Sequence, residues 1–69
     1  MIMTRLRAAR LSAGFSQRAL ARRAGISART VERLEAGLGR PHQETSRRIL
    51  EALEVPWTER GRIFAPELP

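Results

Sequence analysis

The chain has 69 residues, no cysteine and a single histidine, His42. This excludes a disulfide framework and a thiolate metal site, and a histidine-based metal cluster or triad is not expected. Thirteen arginines against seven glutamates, with no lysine or aspartate, give a formal charge of +6, which favours an anionic partner.

The length suits one small domain over 1–69 with a modest core. No apolar run approaches the roughly 20 residues of a membrane span. Met1-Ile2-Met3 is followed by charged residues and does not read as a signal peptide. A soluble, cytoplasmic protein with no membrane partner is the expectation.

Alanine, leucine, arginine and glutamate fill most positions, β-branched residues are few, and no alternating strand pattern occurs. The fold class expected is therefore all-α. Helix 1 is predicted near 2–13, with a stripe of Ile2, Leu6, Ala9 and Ala13. Gly14 ends it, because glycine takes a positive φ past a helix end without steric cost. Ser16 then opens helix 2, near 17–24, its hydroxyl accepting from an orphan amide. Leu20, Ala21 and Ala24 share one side of that helix, and Arg18, Arg22 and Arg23 make it strongly basic.

The same punctuation recurs at once. Gly25 stops helix 2 and Ser27 starts helix 3, near 28–36, which Gly37 closes. Neither serine has Glu or Gln three residues on, so both are simple caps. At about 100° per residue, Val31 and Leu34 share the core side of helix 3, and Arg29, Glu32, Arg33 and Ala36 lie opposite. Glu32, three residues from Arg29, is placed to divert it into an intrahelical pair.

Residues 38–43 read as a loop around Gly39 and Pro41, with His42 at the loop–helix junction as a cap or surface residue. Helix 4 is predicted near 43–53 and broken by Val55-Pro56. A short fifth helix over 57–64 is weakened by Gly61, and 65–69 reads as a frayed tail.

Two short helices joined by a tight glycine turn describe a helix-turn-helix, although any small helical bundle needs the same caps. An exposed arginine face is also what a solvated surface helix shows. The glutamates Glu32, Glu35, Glu51 and Glu54 read as helix-surface groups and not as an acid/base dyad, so no enzyme, cofactor or metal is expected.

The run from Phe15 to Gly37, with Pro41 beyond it, resembles the helix-turn-helix of Cro/repressor-type (XRE) regulators, the group that includes lambdoid-phage repressors. The matching marks are Arg10, Ser16-Gln17, Leu20-Ala21, Gly25, Ile26-Ser27, Val31, Leu34-Glu35, Gly37, Pro41 and the Ile49–Leu53 run. They span roughly 6–55 in uninterrupted register. The resemblance implies a lambda-repressor-like bundle of about five short helices, with helix 3 in the major groove of double-stranded DNA and helix 2 across the backbone.

Carried over by position, Ala28, Arg29 and Arg33 face base edges. Gln17, Arg18, Ser27, Thr30 and Arg40 meet the sugar-phosphate backbone. The resemblance also points to an ion pair between Arg10 and Glu35, each beside an apolar face. A homodimer on a two-fold symmetric operator is expected, because one short helix reads too few base pairs for useful selectivity. Trp57, Ile63 and Phe64 are the candidates for its contact, or else they cover the chain's own core.

Some positions depart from the pattern. Ala28 is small where relatives carry a long polar reader, and Ala36 lacks an amide that some direct at phosphate. Ser46 stands where a leucine usually packs, which suggests a looser helix 4. Glu54 replaces a frequent glycine, so that cap is expected to be strained or rearranged. The function implied is sequence-specific regulation of transcription, with repression as the expected outcome. An antitoxin, or a protein- or RNA-interaction adaptor on the same fold, is the alternative.

Overall fold

The computed structural model describes residues 3–64. Ile2 of the expected helix-1 stripe and the tail at 65–69 lie outside the described residues. Four α-helices and one 3-10 helix follow one another: α1 (Arg5–Ser12), α2 (Gln17–Ala24), α3 (Ala28–Glu35), α4 (Gln43–Ala52) and the 3-10 helix Trp57–Arg62.

The first helix starts later than expected, because Thr4 supplies a cap that Met1-Ile2-Met3 cannot. Its Oγ1 accepts from the Arg7 amide at 3.2 Å. Ser16 and Ser27 cap α2 and α3 as their positions predicted, accepting from the amides of Ala19 (3.0 Å) and Thr30 (3.1 Å). Gly25 closes α2 at φ 71°. The Ile26 amide then reaches back to the Ala21 carbonyl at 2.9 Å, which makes the turn between α2 and α3 a tight reversal. His42 takes the N-cap position of α4 without a side-chain bond.

The core is small and lies between the helices. Leu20, Val31, Ile49 and Leu50 are its largest fully buried side chains, joined by Leu6, Ala21, Ala24, Ala52 and Ile63. The second helix packs on both α3 and α4, α1 packs on α3, and the 3-10 helix closes over α4. Leu20 and Ile49 have no exposed surface, so burial of each contributes roughly 1.5–3 kcal/mol.

Two expectations at the C-terminal end change. The fifth helix is a six-residue 3-10 segment that ends at Arg62, interrupted at Glu59, where φ is −105° and ψ 19°. Ile63, a candidate for the dimer contact, is only 8% exposed and belongs to the chain's own core. Trp57 and Phe64 are half-buried against that core. Ser46 is buried on α4, among Ile49, Leu50 and Ala52. No helix among the described residues is long and apolar enough to cross a membrane.

Among the described residues Glu54 is the non-glycine residue with a positive φ, 59°. Beyond α4 the Val55 amide reaches back to the Leu50 carbonyl at 2.9 Å, a closure that needs a left-handed residue at position 54. That conformation costs an L-residue roughly 1–2 kcal/mol. Against it stands only an exposed pair with Arg23, Nη2 to Oε2 at 3.6 Å, of a kind worth about 0–1 kcal/mol. Glu54→Gly is therefore expected to raise stability by about 1 kcal/mol in urea denaturation. A loss of stability would show that the Arg23 contact outweighs the strain.

Candidate nucleic-acid interface

The site begins with a buried charge. Arg10 is 7% and Glu35 8% exposed. The Arg10 guanidinium meets the carboxylate with two bonds, Nε to Oε2 and Nη2 to Oε1, the second at 3.1 Å. Its Nη1 donates to the Phe15 carbonyl at 2.8 Å, just before α2. Gln17, the first residue of α2, donates from Nε2 to Glu35 Oε1 at 3.0 Å. One ion pair thus ties α1, the loop ahead of α2, the start of α2 and the end of α3.

Burial pushes the Glu35 carboxyl up. The bonds from Arg10 and Gln17, with the charges of Arg10 and Arg7, outweigh burial and hold it below the usual carboxylate range. The bond to Glu35 correspondingly raises Arg10 against its own desolvation.

This bracing sets how α3 is presented. Val31 is fully buried and Leu34 is half-buried beneath the helix. Arg29, Glu32, Arg33 and Ala36 are all exposed on the opposite side. Among the described residues Arg29 and Arg33 form no ion pair, and Glu32 does not engage Arg29. The intrahelical pair expected from the Arg29–Glu32 spacing is therefore absent, and Arg29 is as exposed to a partner as Arg33. Ala28 is half-buried against the core, so only part of its methyl faces outward.

The remaining expected contact residues fall into three groups. Ser27 and Thr30 engage each other, Oγ to Oγ1 at 2.8 Å, at the start of α3. Gln17 has one N–H committed to Glu35, which fixes its amide and leaves a second N–H as a donor at the start of α2. Arg18 is exposed on α2, and Arg40 is exposed on the loop before α4. With Arg22, which is also exposed, the two helices carry four guanidiniums without a carboxylate partner among the described residues: Arg18, Arg22, Arg29 and Arg33.

Arg23 departs from the basic face read from the sequence. Its Nε donates to the Ala52 carbonyl at 3.1 Å, its guanidinium lies 5.5 Å from the Phe15 ring centroid, and it reaches Glu54. It serves the end of α4, a role no spacing in the sequence signalled. Arg48 was also missed. It pairs with Glu44 one turn away at 3.0 Å, and its Nη1 lies 3.5 Å from the Gly25 carbonyl, behind the turn between α2 and α3. The Glu44–Arg48 spacing of four was the only signal available.

A glycine-closed turn between α2 and α3, braced behind and basic in front, matches a known pattern. A family model described as helix-turn-helix matches residues 6–60. The chain belongs to the Cro/C1-type helix-turn-helix family. The match covers most of the described fold, whose all-helical, lambda-repressor-like architecture agrees with that family, and the family is one of DNA-binding regulators. No curated protein and no solved structure matches the chain.

Removing one partner of the buried pair leaves an uncompensated charge. Glu35→Gln is therefore expected to cost about 3–5 kcal/mol in denaturant unfolding. Because the folded carboxyl lies below its unfolded value near 4.5, its contribution is complete above that pH. It is lost as pH falls through the folded value. Acid titration of stability should show this loss in the wild type and not in Glu35→Gln. An unchanged acid limb in the variant would contradict the assignment.

Proposed function

We propose that the chain is a sequence-specific regulator of transcription that inserts α3 in the major groove of double-stranded DNA and acts as a repressor. The observation that carries this is the division of α3. Val31 pins one side with no exposed surface, while Arg29 and Arg33 stand exposed and unpaired on the other. Arginine donates two parallel bonds to O6 and N7 of guanine, discriminating by about 1–3 kcal/mol. Two guanidiniums one turn apart repel in a free helix, and an anionic groove removes that cost.

In this reading Gln17, Arg18, Ser27, Thr30 and Arg40 hold the backbone, with Ala28 offering its partly exposed methyl to a thymine methyl. The open first turns of α2 and α3 add amides suited to phosphate. Occupying the duplex is enough to exclude another protein from it, which makes repression the simplest outcome.

Two copies bind a two-fold symmetric site. The domain measures 33 × 28 × 20 Å, so neighbours fit about one helical turn, roughly 34 Å, apart. Pairing depends on the DNA, because the chain is basic and Ile63 is already used in its own core. In this reading the shared duplex, and not Trp57 or Phe64, holds the two copies together. The chain alone is expected to sediment as a monomer, and with operator as two copies per duplex.

Arg29→Ala and Arg33→Ala, titrated against operator and single-base variants, test the reading. At least one is expected to relax preference at one defined G·C pair of each half-site, by about 1–3 kcal/mol. Affinity should also fall with salt at about 0.9 in log–log slope per neutralised phosphate. Uniform weakening across all sequences by both variants would assign these arginines to phosphate. A flat salt response would count against DNA altogether.

A further inference from the structure

A groove of about 1010 Å³ opens at the far end of α3, between the start of α1, the loop before α4 and the 3-10 helix. Leu34, Trp57, Ile63 and Phe64 give it an apolar floor. Its charged lining residues are Arg5, Arg40 and Arg60, with no carboxylate among the described ones. The volume is at the upper end for a small-molecule pocket and the groove is open, which suits a stretch of chain better than an enclosed ligand.

Trp57 concentrates the charge. The guanidinium of Arg47 lies 4.6 Å and that of Arg60 4.7 Å from its ring centroid. Arg60 also donates to the Trp57 carbonyl at 3.0 Å. Among the described residues neither Arg47 nor Arg60 has a carboxylate partner. Each cation gains from the ring's negative face, and together they leave the surface around Trp57 positive, which favours an anionic group. Arg5 holds the other wall by donating to the Gly61 carbonyl at 2.8 Å.

We infer that this groove binds a segment of another protein in which acidic side chains alternate with apolar ones. The apolar groups cover Leu34 and Phe64, and the carboxylates reach Arg60 and Arg5. A second copy of this chain is a poor occupant, since arginine exceeds glutamate by thirteen to seven and the approaching surfaces repel. Single-stranded nucleic acid is also disfavoured. It needs an open aromatic face on which bases stack, and the Trp57 ring already carries two guanidiniums. This inference is independent of how α3 reads DNA and does not draw on Arg40.

Trp57 is the chain's single tryptophan, so its emission reports the groove directly. The test titrates the full chain with a nonapeptide alternating glutamate and leucine, at about 0.15 M salt. A saturable change in Trp57 emission is expected. An all-glutamate nonapeptide should bind at least about tenfold more weakly. Arg60→Gln should weaken binding about tenfold. Its side chain is exposed, so the fold should survive the change. Arg18→Gln, on the opposite functional element, should leave peptide binding unchanged while weakening DNA. Absence of saturation would overturn the inference. So would equal affinity for the all-glutamate peptide or for an oligouridylate. A concentration-dependent emission change without peptide would assign the groove to self-association and overturn it as well.

Discussion

The Arg10–Glu35 pair is the contact on which the rest of the arrangement depends. Burying two opposite charges is costly unless every polar position is met. Here the carboxylate accepts two bonds from Arg10 and one from Gln17, and the guanidinium adds a bond to the Phe15 carbonyl. No fully buried side-chain nitrogen or oxygen among the described residues lacks a partner. An apolar pair of similar size could stabilise a bundle equally well, but it would not choose one angle between helices. The directional bonds do, and they hold the end of α3 against the start of α2, where the two elements must act together.

Much of this was legible because the signals are local. Ser16 and Ser27 with Gly14, Gly25 and Gly37 mark helix ends through cap chemistry alone, and α2 matched its expected limits. The outward face of α3 followed from its 3.6-residue period, since burial of Val31 leaves Arg29 and Arg33 on the far side. Glu54 announced its strain by standing where a left-handed residue is needed.

What was not legible is long-range. Arg23 looks like its neighbour Arg22 in the sequence, yet it reaches a carbonyl 29 positions away on α4. Arg29 and Glu32 have the spacing of a pair and do not form one. Ile63 follows a weak helix whose pattern does not choose between a contact with a second copy and the chain's own core, and the 3-10 geometry of Trp57–Arg62 turns it inward over α4. For Arg23 and Ile63 the deciding partner lies on another element, where neither propensity nor periodicity carries information. Three arginine roles stand apart among the described residues: Arg10 braces, Arg23 and Arg48 tie α2 and its turn to α4, and Arg29 and Arg33 stay exposed without a carboxylate partner.

The central claim is that this braced arrangement reads base sequence rather than charge alone. Selecting bound duplexes from a random pool, at about 0.15 M salt where purely electrostatic binding is weak, tests it most directly. The account predicts enrichment of one two-fold symmetric motif, with at least one G·C pair in each half-site at the position served by Arg29 or Arg33. Recovery of duplexes with no shared motif would contradict it.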